Sequence, residues 1–265
     1  GRNFEGLSVV IDCANGSASH FAYEVLHSLG ADVKSIHDAP DGLNINHDCG
    51  STNPSSLRSA VAEIGADLGL AFDGDADRVL AVDQQGRIID GDYLIAICAE
   101  DMKLRQRLQG NTTVVTVMTN LGFHLAMKEK GIQVHETSVG DRHVLAALEK
   151  NKWSLGGEQS GHVIFRDLST TGDGLLTGIQ LLDVIKRSGL ELADLADAAM
   201  IRYPQVLRQV NMPKVTVSVE DFLIDEILTI ENELGESGRV LVRPSGTEPV
   251  LRIMVEAITH EQAEN

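Results

Sequence analysis

Residues 66–83 read Ala66-Asp-Leu-Gly-Leu-Ala-Phe72-Asp-Gly-Asp-Ala-Asp-Arg78-Val-Leu-Ala-Val-Asp83, and no other segment is as informative about the architecture of the chain. The apolar runs 66–72 and 79–82 predict two buried strands on either side of an acidic turn. The turn carries carboxylates at three alternate positions, separated only by a glycine and an alanine. Alternate side chains share one face of an extended chain, roughly 6–7 Å apart, and small spacers let the backbone curl further. The three carboxylates can therefore meet one cation.

The cation that these carboxylates predict is Mg²⁺, with one ion per chain. Without a cation, each close pair among Asp73, Asp75 and Asp77 would repel by roughly a few kcal/mol at an effective dielectric near 20. A hard ion that prefers oxygen ligands removes this repulsion. Arg78 follows directly, and a guanidinium matches phosphate oxygens bidentately. The partner of the ion is therefore predicted to be a phosphate.

Other interpretations of the acidic turn can be weighed on the residues alone. A solvated turn between strands stays open, although three aligned acids at a strand end are uncommon. An EF-hand loop is excluded, because it needs Gly at position 6 and Glu at position 12, where this chain has Arg78 and Gln84. A haloacid-dehalogenase-type phosphatase usually has Thr or Val where this chain has Asp77.

Composition bounds the class of protein. The 265 residues carry 22 Lys+Arg against 39 Asp+Glu, a net charge of −17, which argues against general nucleic-acid or anionic-membrane binding. No apolar run approaches the length of a membrane span. Cys13, Cys49 and Cys98 form no CxxC pair, so their spacing indicates neither a disulfide framework nor a zinc site. A reducing cytoplasm is the expected compartment.

The alternation of predicted strands and helices indicates two α/β units with largely parallel sheets, followed by a small α+β unit. Their expected boundaries are 1–107, 108–203 and 204–265, with Tyr203-Pro204 as the linker. Predicted strands lie at 7–12, 32–36, 66–72, 79–82, 114–117, 132–136, from 153, 205–210, 238–242 and 250–255. Predicted helices lie at 17–29, 54–64, 91–106, 121–130, 142–150, 174–186 and 221–234. Asn53 and Asp90 are the expected N-caps of the helices at 54–64 and 91–106.

A second polar motif lies at 156–162, Gly-Gly-Glu-Gln-Ser-Gly-His. It places Glu158, Ser160 and His162 at alternate positions, so that their side chains share one face of an extended loop. Such a set can hydrogen-bond adjacent sugar hydroxyls or an amino group. A plain glycine-rich turn, with His162 as a satisfied strand residue, stays open.

A third polar motif joins the last two predicted strands. Gly246 and its neighbours can direct backbone N–H groups at an anion, and Arg243, Ser245 and Thr247 add donors. Arg252 lies on the next strand. An ordinary Pro-Ser-Gly-Thr hairpin explains the turn residues, but it does not explain an arginine beside two hydroxyls in an acidic chain. Phosphate binding is therefore the favoured function of this loop.

The order of these three loops resembles that of the α-D-phosphohexomutase superfamily and, within it, the bacterial phosphoglucosamine mutases. The resemblance extends over essentially all 265 residues, with supporting stretches at 11–16, 139–142 and 170–174. Gln159 resembles the polar residue of phosphoglucosamine mutases, where phosphomannomutase/phosphoglucomutases usually carry Met. The implied fold is two mixed-sheet α/β domains followed by a small α+β domain like the TATA-box-binding protein.

The resemblance also implies a role for each loop. Asp73, Asp75 and Asp77 would bind Mg²⁺, and Arg78 would contact the reacting phosphate. The remaining implied contacts are Glu158, Ser160 and His162 to the sugar, and Arg243, Ser245, Gly246 and Thr247 to the non-reacting phosphate. The implied reaction interconverts glucosamine 6-phosphate and glucosamine 1-phosphate for cell-wall amino-sugar nucleotides, with a sugar 1,6-bisphosphate as primer and intermediate.

One departure from the family pattern is large. The superfamily's nucleophilic phosphoserine lies in a loop resembling Thr-Ala-Ser-His-Asn-Pro, and the nearest string here, Ala18-Ser19-His20, lacks the flanking residues. In the family, the general acid/base lysine lies in the same domain as the phosphoserine, so no residue of this chain is assigned that role. We therefore expect a fragment that lacks an N-terminal phosphoserine domain and is inactive alone. A phosphomannomutase/phosphoglucomutase and a non-catalytic phosphosugar- and Mg²⁺-binding module stay open, as does a homodimer.

Overall fold

The computed structural model describes residues 2–211, 223–244 and 250–264, with Glu236 described in its backbone only. The chain divides into two compact units. The first unit comprises Gly1–Thr119 and Phe123–Met200, and the second comprises Asn120–Gly122 and Ile201–Asn265. Among the helices of the described residues, none has the length and apolar character that crossing a membrane requires.

The first sheet has the strand order β2-β1-β3-β4-β5. Its strands are β1 (Ser8–Asp12), β2 (Asp32–Ile36), β3 (Leu68–Phe72), β4 (Val79–Asp83) and β5 (Ile88–Ile89). The first three strands are parallel, and β4 and β5 pair antiparallel to their neighbours. The sheet is therefore mixed, because the acidic turn forms a hairpin and reverses the chain direction.

The second sheet repeats this plan with the order β7-β6-β8-β9. Its strands are β6 (Thr112–Thr116), β7 (Gln133–Thr137), β8 (Leu155–Gly157) and β9 (Val163–Phe165). Strands β6, β7 and β8 are parallel, and β9 is antiparallel to β8. Strand β9, which has three residues and follows a glycine-rich turn, was not predicted from the sequence.

The helices of the first unit cover these sheets. They are α1 (Ala22–Ser28), α2 (Ser55–Ile64), α3 (Gly91–Leu104), α4 (Leu121–Glu129, whose first two residues belong to the second unit), α5 (Asp141–Asn151), α6 (Gly174–Ser188) and α7 (Leu192–Ala199). Helix α2 begins one residue later than expected, because Pro54 and not Asn53 occupies its N-cap position. The prediction that Asp90 caps α3 is confirmed, since its side chain accepts from Tyr93 N. Helix α7 was not predicted.

Both sheets contribute to one continuous core that also includes α3 and α6. Alternate residues of β1 face opposite sides of the first sheet. Val9 and Ile11 belong to the shared core, whereas Val10 packs with Leu57 and Val61 of α2. Such alternation is expected of a strand that is covered on both faces. The predicted α/β class is therefore confirmed for this unit.

The second unit contains an antiparallel sheet with the order β10-β12-β11. Its elements are β10 (Gln205–Asn211), α8 (Ile224–Leu234), β11 (Gly238–Pro244), β12 (Val250–Ala257) and α9 (His260–Glu264). The predicted α+β character of this part is confirmed. The first two residues of the predicted helix at 221–234, like Ser245, Gly246 and Thr247 of the predicted phosphate loop, lie outside the described residues.

A buried carboxylate lies at the centre of the second unit. Glu256 is fully buried and accepts hydrogen bonds from Asn120 Nδ2, Leu121 N and Gln205 Nε2 at 2.9–3.0 Å. Arg239 Nε lies 2.5 Å from the same carboxylate. A buried charge is tolerated when donors of this kind surround it. Glu256 therefore joins residues that lie more than a hundred positions apart in the chain.

Candidate active site

The acid loop, residues 73–78, joins β3 to β4. Asp73, Asp75 and Asp77 each offer one carboxylate oxygen, and these oxygens lie within 4.8 Å of one another. Ala76 adopts a φ of 61°, in the left-handed region, and so turns the chain between the second and third carboxylates. The structure thus brings together the three side chains that the sequence placed in one group.

Asp73 is the most buried of the three carboxylates of the acid loop, with 7% of its surface exposed, whereas Asp75 is exposed. Burial, together with the negative charges of Asp77 and Asp75, raises the pKa of Asp73 to about 6. The backbone N–H of Arg78 opposes this shift by donating to Asp73 Oδ1 at 3.1 Å. A cation bound to the loop would favour the ionised carboxylate and so reverse the effect of burial.

His162 belongs to the glycine-rich sugar loop, residues 156–162, and contacts Asp77 of the acid loop. Its Nδ1 lies 3.0 Å from Asp77 Oδ2, and its Nε2 accepts from the backbone N–H of Gly172 at 3.1 Å. Because Nε2 is an acceptor, the ring proton of the neutral imidazole lies on Nδ1, which donates to Asp77. Both ring nitrogens are occupied and the side chain is 4% exposed, so this geometry does not support the predicted sugar contact of the ring.

The donor set of the acid loop fits Mg²⁺. Asp77 Oδ1 is buried and accepts no hydrogen bond from the residues that the structure describes. Arg78 Nε lies 3.7 Å from this oxygen and at the same distance from Asp73 Oδ2. Three carboxylate oxygens suit an ion that keeps several water ligands. With its side chain 46% exposed, Arg78 can also reach an anion outside the loop.

Neighbouring loops brace the backbone of the acid loop. Gly174 N donates to Ala76 O at 2.8 Å, and Val79 N donates to Gly161 O at 3.1 Å. A Cβ on Gly161 would lie 2.2 Å from Val79 O, so a larger residue there would push the two loops apart. Gly161 and Gly174 belong to two of the stretches that the sequence analysis singled out, and their close backbone approach explains why glycine stands there.

The three predicted contact residues of the sugar loop differ in their burial and in their hydrogen bonds. Glu158 is partly buried, and its Oε1 accepts from the backbone N–H of Gly140 at 2.9 Å. Ser160 is exposed. The loop thus presents a carboxylate and a hydroxyl, while the ring of His162 points to the acid loop.

Gln159 has a partner that sequence reasoning missed. Its Nε2 donates to Asp92 Oδ2 at 3.3 Å, and its backbone oxygen accepts from Gly91 N at 3.0 Å. A Cβ on Gly91 would lie 2.0 Å from Glu158 O. Gln159 therefore fastens the sugar loop to the beginning of α3. The acidic first turn of that helix was the sequence signal that could have indicated this contact.

A cleft of about 470 Å³ opens beside the acid loop. Asp75 and Asp77 line one side, and Thr171, Gly172 and Asp173 line another. The size is that of a small-molecule site, for which roughly 300–1,000 Å³ is typical. The 170–174 stretch, assigned no role beyond its resemblance to the family, is thus part of the same cleft as the acid loop.

Arg243, the described residue of the predicted phosphate set, lies on β11 directly opposite Arg252 of β12. Paired residues of an antiparallel sheet project from the same face, so two guanidinium groups share one end of this hairpin. Both residues are partly buried. The pairing adds Arg252 to the basic side chains at this position.

Three domain models of one protein family match successive parts of the chain. The alpha/beta/alpha domain II of phosphoglucomutase/phosphomannomutase matches residues 2–86, and the alpha/beta/alpha domain III matches residues 90–203. The C-terminal domain of the same family matches residues 190–265. Together the three models span residues 2–265.

Curated relatives match along almost the whole chain. The phosphoglucosamine mutase of Thermobifida fusca is 54% identical over 264 residues, which are 99% of this chain and 59% of the relative. The phosphoglucosamine mutase of Oceanobacillus iheyensis is 51% identical over 264 residues, with the same two coverages. The chain therefore spans about three-fifths of the length of these relatives.

Solved structures share the fold. A phosphoglucomutase/phosphomannomutase family protein from Burkholderia thailandensis aligns with a TM-score of 0.80 and 26% identity, covering 97% of this chain and 58% of that protein. An N-acetylphosphoglucosamine mutase from Aspergillus fumigatus, solved with GlcNAc-6P and magnesium, aligns with a TM-score of 0.80 and 21% identity. That alignment covers 98% of this chain and 60% of the fungal protein.

Proposed function

The chain belongs to the phosphoglucomutase/phosphomannomutase family, and we propose that the protein is a phosphoglucosamine mutase, which interconverts glucosamine 6-phosphate and glucosamine 1-phosphate. The resemblance predicted from the three loops is thereby confirmed at the level of the family. The proposal rests chiefly on one observation. The acid loop, the sugar loop and the 170–174 stretch hold one another by hydrogen bonds within a single unit.

Each residue at this cleft has a proposed part. Mg²⁺ bound by Asp73, Asp75 and Asp77 would neutralise charge on a transferring phosphoryl group. Arg78 would hold oxygens of the same group through its exposed guanidinium. His162 would position Asp77 by donating from Nδ1, a role that we propose in place of its predicted sugar contact. Fixing the phosphate and its charge partners in place supplies most of the catalysis in reactions of this class.

The sugar would meet Glu158 and Ser160. Because Oε1 of Glu158 already accepts from Gly140 N, we assign its Oε2 to a protonated 2-amino group or a hydroxyl of the substrate. A charge-assisted hydrogen bond of this kind favours an amino sugar over its neutral counterpart. A sugar 1,6-bisphosphate would act as primer and intermediate, and an Aspergillus fumigatus relative has been solved with glucose 1,6-bisphosphate.

A phosphomannomutase/phosphoglucomutase stays the second candidate, because of the contact that Gln159 makes. Its side chain donates to Asp92 within the protein, so its presence bears less directly on the sugar than the sequence pattern indicated. The preference for glucosamine then depends mainly on Glu158 and on the similarity to phosphoglucosamine mutases.

The substrate test compares kcat/KM for glucosamine 6-phosphate and mannose 6-phosphate, measured on the protein at the length of its curated relatives, with Mg²⁺ and a bisphosphate primer. We expect a preference for glucosamine 6-phosphate that falls by about tenfold or more in Glu158→Gln, since one charge-assisted contact is lost. A mannose preference would move the assignment to a phosphomannomutase. Binding of both sugars without turnover would instead indicate a non-catalytic module.

The non-reacting phosphate is proposed to bind at the hairpin of β11 and β12. The pairing of Arg243 with Arg252 puts two positive charges on one face of this hairpin, where the guanidinium groups can bind phosphate oxygens. Arg243→Lys keeps the charge but loses the bidentate fork, so we expect phosphosugar affinity to fall by about tenfold with little change in Tm. Calorimetric titration measures this affinity, and Arg208→Lys on β10 is the matched control. Unchanged affinity would favour a plain hairpin.

We also infer a cytoplasmic location. Cys13, Cys49 and Cys98 are all free and buried, which agrees with a reducing compartment.

A further inference from the structure

A second cluster of metal-ligating side chains lies in the first unit, outside the cleft described above. Asp12 ends β1, His37 directly follows β2, and Cys49 comes from the segment that follows. One ligand atom from each of the three residues lies within 4.8 Å of the other two. Asp12 and Cys49 have no exposed surface. Three residues that are distant in sequence thus converge at the carboxyl edge of two neighbouring parallel strands.

The carboxylate of Asp12 is oriented by the backbone. Ala14 N donates to its Oδ1 at 3.0 Å, and Gly50 N donates to its Oδ2 at 2.9 Å. Hydrogen bonds of this type from the surrounding protein orient metal ligands and are typical of metal sites. These two backbone donors therefore fix the carboxylate in its direction toward His37 and Cys49.

The imidazole of His37 faces the same point. Its Nδ1 lies 3.1 Å from Asp12 Oδ2, yet this buried nitrogen makes no hydrogen bond of acceptable geometry within the described residues. Because the contact is close but misaligned, a simple Asp–His hydrogen bond does not account for it. A cation held by both atoms would.

The thiol of Cys49 is fully buried beside the carboxylate of Asp12. Its Sγ also lies 3.8 Å from Asn15 Nδ2. A divalent cation at this point would bind the thiolate directly and neutralise the carboxylate.

We propose that Asp12, His37 and Cys49 are the ligands of a second metal site, which takes a borderline divalent cation such as Zn²⁺. Mixed oxygen, nitrogen and sulfur donors suit Zn²⁺ and disfavour Mg²⁺. Three protein ligands leave a fourth, tetrahedral position for water. The His37 side chain is 31% exposed and provides the route of entry. On binding, the thiol releases its proton to solvent and Sγ bonds to the metal.

The metal site would fix the segment around Gly50, which packs against the backbone next to the acid loop. A Cβ on Gly50 would lie 2.4 Å from Phe72 O, directly before the first acidic residue. Ser17 N also donates to Gly74 O at 2.9 Å. A cation that fastens Cys49 to Asp12 would therefore hold Gly50 against the backbone that carries the Mg²⁺ ligands.

Co²⁺ is the probe for this site, because a cobalt–thiolate bond produces a charge-transfer absorption that oxygen ligands do not. The chain is stripped with a chelator and titrated with Co²⁺. We expect the absorption in the wild type, in Asp75→Asn and in Cys98→Ser, which removes another buried thiol as the matched control. We expect its loss in Cys49→Ser, and its displacement by Zn²⁺ but not by Mg²⁺.

A second variant keeps the test decisive if Cys49→Ser does not fold. His37→Gln changes a partly exposed side chain, and we expect it to weaken Zn²⁺ binding by more than about tenfold in calorimetric titration. The absence of a thiolate band in the wild type, its persistence in Cys49→Ser, or unchanged Zn²⁺ affinity in His37→Gln would each overturn the proposal. None of these readouts depends on mutase activity, so failure here leaves the proposed function standing.

Discussion

The acid loop and the Asp12–His37–Cys49 cluster lie at the ends of neighbouring strands of one sheet, yet they offer different chemistry. The acid loop presents three oxygens at an open cleft, and Asp75 is exposed. The second cluster presents one oxygen, one nitrogen and one sulfur, and two of its three residues are fully buried. Donor type and burial, more than position on the sheet, should decide which cation each binds.

The difference also separates two functions that a cation can have. An open oxygen site leaves ligand positions for water and substrate, which suits an ion that takes part in phosphoryl transfer. A mixed site whose ligands come from three separate segments suits an ion that holds those segments together, with water in the one remaining position. The three predictions below test this distinction.

The largest expected effect is that of Gly50→Ala, because Gly50 lies between Asp12 of the second cluster and the backbone directly before the acid loop. Its N–H donates to Asp12, and an added Cβ would lie 2.4 Å from Phe72 O at a φ of 67°. We expect the free energy of unfolding to fall by about 3 kcal/mol or more, from overlap plus backbone strain. Urea unfolding measures it.

Gly65→Ala is the matched control for that change. Gly65 has a φ of 70°, but nothing lies within 4 Å of an added Cβ. Only the backbone strain should remain, at about 1 kcal/mol. Equal losses in the two variants would mean that the segment around Gly50 does not pack tightly against the acid loop.

A smaller effect of opposite sign is expected from Asp73→Asn in the metal-free chain. The folded-state pKa of Asp73 is raised to about 6, so protonation of this carboxyl stabilises the folded chain. This contribution to stability is fully present below the unfolded-state pKa and is lost as pH rises through about 6. The variant should therefore exceed the wild type in unfolding free energy by about 2 kcal/mol near pH 8. Asn can still accept from Arg78 N.

The measurement is urea unfolding at about pH 8 and about pH 4 with a chelator present. The advantage of Asp73→Asn should shrink at the lower pH and also on adding Mg²⁺ to both proteins at the higher pH. A variant less stable than the wild type at both pH values would show that the carboxylates do not strain the metal-free loop.

The smallest effect in free energy is expected from Asp75→Asn. This exposed residue contributes one anionic oxygen, so Mg²⁺ affinity should fall by about tenfold while Tm stays unchanged. Calorimetric titration with Mg²⁺ checks it. Asp32→Asn, which changes an exposed carboxylate at the start of β2, is the control and should bind Mg²⁺ as the wild type does. Matching Mg²⁺ affinities in Asp75→Asn and the wild type would sink the assignment of the loop.

Much of the fold could be predicted because its elements have local signals. The acid loop is bounded by apolar runs, and the start of α3 is indicated by Asp90, which caps the helix as expected. Strand β9 was missed because three residues are too few to show the two-residue alternation that indicates a strand. Helix α7 was missed although Leu192, Leu195 and Ala199 follow helical spacing, which was the signal that could have found it.

The candidate site was predictable where its residues are contiguous. Asp73, Asp75 and Asp77 could be grouped from spacing alone, and the structure brings them together. The contact of His162 with Asp77 could not be predicted, because the two residues lie 85 positions apart in the sequence. The predicted phosphate contacts of Ser245, Gly246 and Thr247 stay predictions.

The second cluster shows the same limit more sharply. Cysteine spacing gave no indication of a zinc site, and positions 12, 37 and 49 follow no metal-binding spacing. They meet only because β1 and β2 are parallel neighbours, so that their carboxyl ends lie side by side. Tertiary pairing, which no local pattern encodes, is what assembles these three ligands.

The buried Glu256 has a consequence for anyone who would express the second unit by itself. A piece cut at residue 204, where the sequence predicts a domain boundary, would keep the Gln205 and Arg239 donors. It would lose those of Asn120 and Leu121, which belong to the same unit from far upstream. A buried carboxylate deprived of half its donors costs about 1–3 kcal/mol per missing hydrogen bond. The excised piece should therefore fold poorly, because the chain completes this unit with residues borrowed from the middle of its own sequence.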